Sequence, residues 1–302
     1  MNSKNDRSVW PYRFRCIIVL TGTLFLLALC GCSSNGPNGS IDNSEPDPSS
    51  RNSRQITEVE VKSTVNDYSW GELGFIAKKI SSASTEKDAL AIAREYNLTT
   101  SKGSLDGTQV KSVTLSNEKT VDVQIVGFYH DKKSSGGKAG ITFIFKNPIS
   151  DEEMNPTETS SGGWKGSDLY SWLWGKGMSM LPSDLREEIV AVEKMTNNAG
   201  KTNSVSSVSS TSESLWLFSY AELTGYKDDV LGAEGTQYKL FAEQGVKTKA
   251  ANKVLQKSKE KWWLRSPEPT GQGFFCCVSE DGNPSKALNA DSHQGVAPGF
   301  CL

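Results

Sequence analysis

The side chains best able to do chemistry in this chain are three cysteines near its C-terminal end and two histidines. Cys276, Cys277 or Cys301 could supply a nucleophilic or redox-active thiolate. His130 or His293 could act as the base that activates it. Their spacing matches no catalytic pattern, and the chain has no serine-hydrolase, zinc-protease or phosphate-loop motif and no C-x-x-C zinc spacing. We therefore expect no catalysis, no cofactor and no metal, with a cysteine-dependent enzyme as the alternative.

The N-terminal segment carries another kind of cysteine chemistry, lipid attachment. A basic start precedes an apolar run of about 13 residues, which suits a signal peptide and is too short to span a bilayer. The run ends in Leu29-Cys30-Gly31-Cys32, which resembles the lipobox of bacterial lipoproteins. The resemblance implies removal of residues 1–31 and a diacylglycerol on the Cys32 thiol, carrying acyl chains such as palmitate. An ordinary secreted protein cleaved nearby is the alternative.

Residues 32–54 are predicted to form a disordered tether, because Ser, Asn, Gly, Pro and Asp dominate there. A lipid-anchored chain of this kind would lie on the extracytoplasmic face of the cell membrane. The net charge of −2 and the lack of a basic cluster argue against nucleic acid as a partner. The expected partners are the lipid membrane, through the N-terminal acyl anchor, and an extracellular glycan or protein.

Residues 55–106 are predicted to form a small helical subdomain. Ser69 and Glu72 fit a capping box, after which apolar residues recur at helical spacing. Thr85 begins a second apolar stripe, which ends at Asn97. The pattern predicts two helices that pair as a hairpin.

Residues 107–302 are predicted to form an α+β domain. Apolar and polar residues alternate at 121–125 and 141–145, which predicts a β-hairpin, and the last forty or so residues are predicted to form short strands. Residues 197–214 are rich in Ser, Thr, Asn and Gly and are predicted to be an exposed loop. The apolar run at 215–219 is predicted to be a strand.

The C-terminal block carries a family resemblance. It contains WWLRSP at residues 262–267 and GVAPGF at residues 295–300. With weaker upstream matches, these runs resemble an uncharacterised family of bacterial surface and phage-associated proteins, domain of unknown function 6273, over about residues 121–302. Ala297 stands where members often carry Arg. The pattern is in turn similar to the C-type-lectin-like fold of sulfatase-modifying factors, which implies a lectin-like mixed sheet with flanking short helices and a ligand surface.

The residues of the two runs suit core and turn positions. The framework residues expected there are Trp262, Trp263, Arg265, Pro298 and Phe300. Cys276 and Cys277 would face opposite sides of a strand, so only one could pair with Cys301. A Cys276–Cys301 disulfide is expected, and three small buried apolar side chains are the alternative.

Polar side chains and one aromatic lie between the two framework runs, a mixture that suits recognition of sugar or protein. The ligand-binding candidates there are Gln272, Phe274, Asn283, Asn289, Asp291 and His293. Trp164 follows two glycines and is either a further exposed aromatic or a buried hinge residue. We therefore expect a cell-surface lipoprotein that binds an extracellular ligand without catalysis. The alternatives are an extracytoplasmic cysteine enzyme and a structural envelope protein.

Overall fold

A computed structural model describes residues 57–302, so the predicted signal peptide, the tether and Cys32 lie outside the described residues. The strands are β1 (Val110–Thr114), β2 (Thr120–Phe128), β3 (Ile141–Phe145), β4 (Ser150–Glu152), β5 (Val192–Asn197), β6 (Val208–Glu213), β7 (Trp262–Pro267), β8 (Phe274–Val278), β9 (Lys286–Asn289), β10 (Gln294–Val296) and β11 (Gly299–Cys301). The helices are α1 (Trp70–Ser81), α2 (Glu86–Glu95), α3 (Asp168–Trp172), α4 (Ser183–Glu188), α5 (Tyr220–Thr224), α6 (Asp229–Gly232) and α7 (Lys239–Glu243). Among these described helices, none combines the length and apolar character needed to cross a membrane.

The predicted helical hairpin is present as α1 and α2. The capping box closes as expected, since Glu72 N–H donates to Ser69 Oγ at 3.2 Å and Ser69 N–H donates to Glu72 Oε2 at 2.7 Å. The Thr85 hydroxyl accepts from Asp88 N–H at the start of α2. These local contacts satisfy main-chain donors that a helix start otherwise leaves unpaired.

The first sheet is antiparallel, with strand order β1-β2-β3-β11. Phe300 of β11 stacks on Phe143 of β3 at a centroid distance of 5.2 Å. The indole of Trp70, at the start of α1, meets both rings edge-on at 5.8 and 6.0 Å. The helical hairpin therefore shares a hydrophobic core with this sheet.

The second sheet is mixed, with strand order β4-β10-β7-β8-β9. β10 runs parallel to β7, and the other neighbours are antiparallel. Every residue of β7 is buried, so both faces of this strand are covered. The indoles of Trp262 and Trp263 remain satisfied there, because they donate to the main-chain oxygens of Leu255 and Glu152 at 3.0 and 2.9 Å. The predicted α+β class is confirmed.

A third, two-stranded sheet corrects the prediction for residues 197–214. These residues contain β6, which pairs along its whole length with β5. The exposed loop was predicted because β6 is polar, but Thr211 and Glu213 point inward and are buried. Residues 215–219, predicted as a strand, form no strand, and Trp216 makes only an isolated bridge to Gly299.

The predicted Cys276–Cys301 disulfide is wrong. Cys276 lies on β8 of the mixed sheet and Cys301 on β11 of the antiparallel sheet, whereas the prediction required neighbouring strands. Both are free, buried thiols. They occupy the alternative role of small buried side chains.

Candidate functional site

Three loops meet to form a polar cavity of about 350 Å³, which we call the loop cleft. Its lining side chains offer hydroxyl, carboxylate, amine and amide groups, from Glu158, Thr159, Ser160, Ser161, Lys201 and Gln272. The first loop follows β4, the second follows β5, and the third precedes β8. The cleft therefore lies where strands of the mixed sheet and of the two-stranded sheet give way to loops.

The three loops touch backbone to backbone. Gly200 has a φ of +92°, and a Cβ there would overlap the main-chain oxygen of Ser160. Gly273 has a φ of +83°, and its Cβ would lie 2.6 Å from the main-chain oxygen of Glu158. Only glycine combines this left-handed backbone with such close approach. The shape of the cleft is therefore set by the main chain.

Asn197, the last residue of β5, holds the second loop in place. Its Nδ2 donates to Gly200 O at 2.6 Å, while its Oδ1 accepts from the N–H groups of Ala199 and Gly200 at 3.1 and 3.0 Å. The main-chain N–H of Asn197 donates to Glu234 Oε1 at 2.9 Å. Because Asn197 and Glu234 are both buried, this contact ties the cleft to the protein interior.

Behind the cleft lies a set of six buried ionisable side chains, which we call the charge cluster. Its members are Asp131, Lys194, Glu213, Glu222, Glu234 and Arg265. Lys194 Nζ lies 2.8 Å from Asp131 Oδ1 and 2.6 Å from Glu222 Oε1. The guanidinium of Arg265 clamps the two oxygens of Glu222 at 2.5 and 3.0 Å. Paired charges of this kind form a fully bonded network inside the core.

Mutual attraction keeps these three pairs ionised despite their burial. Burial alone raises the pKa of Glu222, but the nearby charges of Arg265 and Lys194 more than reverse this and lower it. Asp131 behaves in the same way, with Lys194 as its main partner, so its pKa is also lowered. Burial lowers the pKa of Lys194, but Asp131 and Glu222 outweigh that effect and leave it raised.

The pKa values of the other two carboxyls of the cluster, Glu213 and Glu234, are raised. Burial raises the pKa of Glu213, and it raises the pKa of Glu234 to about 7. The attraction of Arg265 opposes both shifts without cancelling them. A raised pKa favours the neutral acid at both positions, which reduces the excess of negative charge in the cluster. Glu234, which bonds Asn197, is thus a proton-sensitive support of the cleft.

The charge cluster cannot itself meet a substrate, since each of its six side chains is buried. The guanidinium of Arg265 donates to acceptors in the interior. These include Thr196 Oγ1 at 2.7 Å and the main-chain oxygens of Leu217 and Glu234 at 2.7 and 3.0 Å. These bonds join β5, β7 and the segment that carries Glu234. The arrangement holds together the segments behind the loop cleft.

A family model described as a domain of unknown function, DUF6273, matches residues 139–302, more than half of the chain. The chain belongs to the DUF6273 family. The DUF6273 region contains the whole loop cleft and every member of the charge cluster except Asp131. No curated protein matches the chain significantly, and neither does any solved structure.

Trp164, within the DUF6273 region, is not the exposed aromatic that the sequence suggested as one interpretation. It is fully buried, and its indole N–H donates to both carboxylate oxygens of Glu213 at 3.0 Å. The edge of Tyr170 meets its ring at 5.5 Å. Trp164 thus anchors the loop that follows the cleft residues 158–161.

The six ligand candidates of the DUF6273 region do not form one surface. Gln272 is exposed and lines the loop cleft, and half-buried Phe274 lies opposite Asn289 in the β8–β9 pair. Asn283 lies in the turn at the other end of that pair, where its N–H donates to Ser279 Oγ. The five residues of β8 separate Gln272 from the turn that holds Asn283. The two side chains therefore cannot contact the same small ligand.

The last two candidates are exposed on a different segment. His293 Nδ1 lies 3.7 Å from Asp151 Oδ1, so it lies beside β4. Asp291 precedes it in the turn between β9 and β10. Neither lines the loop cleft. Of the predicted candidates, Gln272 alone lines this cavity.

The framework residues Trp262, Trp263, Pro298 and Phe300 are all buried. Arg265 is buried as well, but as the centre of the charge cluster, a role that the sequence analysis missed. Nothing in the sequence indicated that Arg265 pairs with Glu222, because the two residues lie 43 positions apart in the chain.

An exposed aromatic, Trp174, was not predicted from the sequence and is 60% exposed. It lies in a π-helical turn, Leu173–Gly177. Trp174 borders a small cavity of about 170 Å³ with Met178 and Leu215. Its exposure was indicated in the sequence by its position outside the apolar stripe of Leu169, Trp172 and Leu173.

Cys276 and Cys301 lie in settings that disfavour a nucleophilic thiolate, and His130 packs against an aromatic ring. Burial raises the pKa of Cys276 and of Cys301 well above the ordinary value, which disfavours the thiolate. His130 stacks on Tyr238 at 4.1 Å, and burial lowers its pKa. Among the described residues, no three His, Cys, Asp or Glu side chains are grouped to hold a metal ion.

Proposed function

We propose that this protein is a lipoprotein on the extracytoplasmic face of the cell membrane, and that its DUF6273 domain binds a glycan in the loop cleft without catalysis. The observation that carries the proposal is the cleft itself, a polar cavity of about 350 Å³ with a main-chain framework. The lipobox-like run ending at Cys32 supports the anchor, and the tether predicted at 32–54 would hold the domain away from the membrane.

The lining of the cleft favours a glycan over an apolar peptide. Hydroxyl, amide, amine and carboxylate groups supply both donors and acceptors, which suits the closely spaced hydroxyls of a sugar. The mixed sheet agrees with the remote lectin-like resemblance, although fold alone does not determine function. A pre-shaped cleft also limits the entropy lost on binding.

The absence of catalysis is proposed from the state of the reactive groups. Cys276 and Cys301 are buried, with pKa values raised above the ordinary range, and the charge cluster is sealed in the core. An enzyme would need such groups to reach a substrate. This favours a binding protein over the extracytoplasmic cysteine enzyme.

Glycan binding is tested with the purified full-length chain on a glycan array, followed by titration of the best glycan. We expect Gln272→Ala and Lys201→Ala each to weaken binding about tenfold, because each removes a polar contact worth about 1–1.5 kcal/mol. Asn283→Ala is the matched amide control and should bind as the parent chain does. Absence of any glycan binding, or equal loss in the control, would contradict the proposal and favour a structural envelope role.

The lipid anchor is tested separately by metabolic labelling with palmitate. Label should enter the parent chain and be absent from a Cys32→Ala variant, which should also leave the membrane fraction. Label that persists in Cys32→Ala would move the anchor to another residue, and an unlabelled parent chain would indicate ordinary secretion.

A further inference from the structure

A second cavity, of about 270 Å³, shares no lining residue with the loop cleft. Lysine and glutamine side chains dominate its wall, and we call it the lysine cavity, lined by Gln124, Lys146, Gln244, Lys253, Gln256 and Lys257. Asp106 is the one carboxylate among the described residues that line it. Positive charge therefore prevails in a space that neither the charge cluster nor the proposed glycan site uses.

Lys257 is the least exposed of the residues that line this cavity, at 2%. Its ammonium donates to the main-chain oxygens of Phe145 and Lys146 and lies 4.8 Å from the ring centroid of Trp262. Within residues 57–302, no carboxylate forms an ion pair with it. A buried ammonium without a counter-ion is costly, so an anion that entered the cavity would relieve that cost.

Gln124 adds an unpaired neutral polar group to the wall of the lysine cavity. It is 3% exposed, lies on β2 and lines the lysine cavity. Its carboxamide makes no hydrogen bond to any residue in 57–302, whereas Gln244 and Gln256 donate to the main-chain oxygens of Leu105 and Asp281. The side-chain atoms that are buried without a partner among the described residues belong to Trp172 and Trp216, so the Gln124 carboxamide is open to the cavity. The Gln124 amide therefore has both donors and its acceptor free for a bound group.

The acidic residue of the cavity is already engaged by its own loop. Asp106 Oδ1 accepts from Thr108 N–H at 3.1 Å, from Thr108 Oγ1 at 2.6 Å and from Gln109 Nε2 at 3.0 Å. The bonds from Thr108 are the main reason that its pKa is lowered, so it stays an anion without reaching Lys257. Lys146 and Lys253 add positive charge and form no ion pair among the described residues.

We propose that the lysine cavity binds a small oxyanion-bearing ligand through one carboxylate or phosphate group, with the Lys257 ammonium as its counter-ion and the Gln124 amide as a neutral donor. A cavity of about 270 Å³ accommodates a small solute and is too confined for a macromolecule. The proposal is independent of glycan binding in the loop cleft.

The charge of Lys257 makes the site sensitive to pH. Burial, and then the charge of Lys146, lower the pKa of Lys257 to about 7. Lys146, Lys253 and Asp106 are the charged groups that face the same cavity. An anion favours the protonated amine, so affinity should fall as the pH rises through about 7. Protonation of about nine-tenths at pH 6 and one-tenth at pH 8 predicts binding about tenfold weaker at pH 8.

Calorimetric titration of the purified full-length chain with sulfate and with acetate, at constant ionic strength, tests the proposal. Sulfate stands for phosphate because its charge does not change between these two pH values, and acetate stands for a carboxylate. We expect saturable binding of at least one ion in the millimolar range. A preference for sulfate would indicate a phosphate ligand, and a preference for acetate would indicate a carboxylate ligand.

Two variants locate the site. Lys257→Met should abolish binding while keeping the length of the side chain, and Gln124→Glu should abolish it by placing a permanent carboxylate in the cavity. Lys165→Met, at an exposed lysine outside the cavity, should bind as the parent chain does. If Lys257→Met fails to fold, Gln124→Glu and the pH dependence of the parent chain decide. No saturable binding of either ion, unchanged binding in the folded variants, or tighter binding at pH 8 would overturn the proposal.

Discussion

Replacing Glu234 by Gln should remove a specific part of the pH dependence of stability. Burial raises the pKa of Glu234 from its ordinary value of 4.5 to about 7 in the folded protein. A carboxyl whose pKa is raised by folding binds more protons in the folded state between these two values. Its contribution is complete below pH 4.5 and is lost as the pH rises to about 7.

The magnitude follows from the size of this shift. Each pKa unit corresponds to 1.36 kcal/mol, so deprotonation of Glu234 should lower the free energy of unfolding by about 3 kcal/mol across this range. The neutral side chain of the Glu234→Gln variant would resemble the protonated acid. Its amide oxygen can accept from Asn197 N–H, and its amide nitrogen can donate to the Ser266 hydroxyl that Glu234 now contacts.

The assay is urea unfolding of the parent chain and of Glu234→Gln at several pH values between about 5 and 8, with the linear extrapolation to water. The stability of Glu234→Gln relative to the parent should rise with pH. Asp131 and Glu222 have lowered pKa values, so their stabilisation is lost only at lower pH and is common to both proteins.

Glu260→Gln, at an exposed position, controls for the removal of one carboxylate from the chain. If Glu234→Gln and the parent chain lose stability in parallel as the pH rises, Glu234 does not carry the proton. The protonation state of the charge cluster would then not depend on Glu234 in this pH range.

Two further predictions concern the loop cleft and the thiols. Gly200→Ala should lose about 1–3 kcal/mol more stability than Gly103→Ala, measured by urea unfolding, because both have positive φ but only Gly200 faces a neighbouring main-chain oxygen. Equal losses would show that the loops are not in contact. Cys276 and Cys301 should react with a maleimide in the native protein only as fast as it opens, measured by peptide mass spectrometry. Rapid labelling of the folded chain would return the cysteine enzyme to consideration.

Elements specified by neighbouring residues were predictable from the sequence. The capping box of Ser69 and Glu72 and the Thr85 start needed only contacts three residues apart. The hairpin of β2 and β3 followed from alternating apolar residues. The WWLRSP run indicated the DUF6273 family, which the family match to residues 139–302 bears out.

The burial of polar side chains was either predicted wrongly from the sequence or not predicted at all. β6 has the composition of a loop, and only its pairing with β5 turns Thr211 and Glu213 inward. Trp164 follows two glycines in a way that suits an exposed aromatic, but the carboxylate of Glu213 offers its indole a buried acceptor. Hydropathy cannot anticipate either outcome, because a polar side chain is buried only when a distant partner satisfies it.

The sequence by itself determined the helical hairpin, the α+β class and the family, because each depends on local pattern or on a contiguous run of residues. Only the tertiary structure decided which charges meet, since Lys194 and Asp131 are 63 residues apart and form an ion pair at 2.8 Å. It likewise separated Cys276 from Cys301 and brought Gln272 to a cleft that Asn283 cannot reach. Partner choice at such distances depends on the packing of whole sheets, which no short stretch of residues encodes.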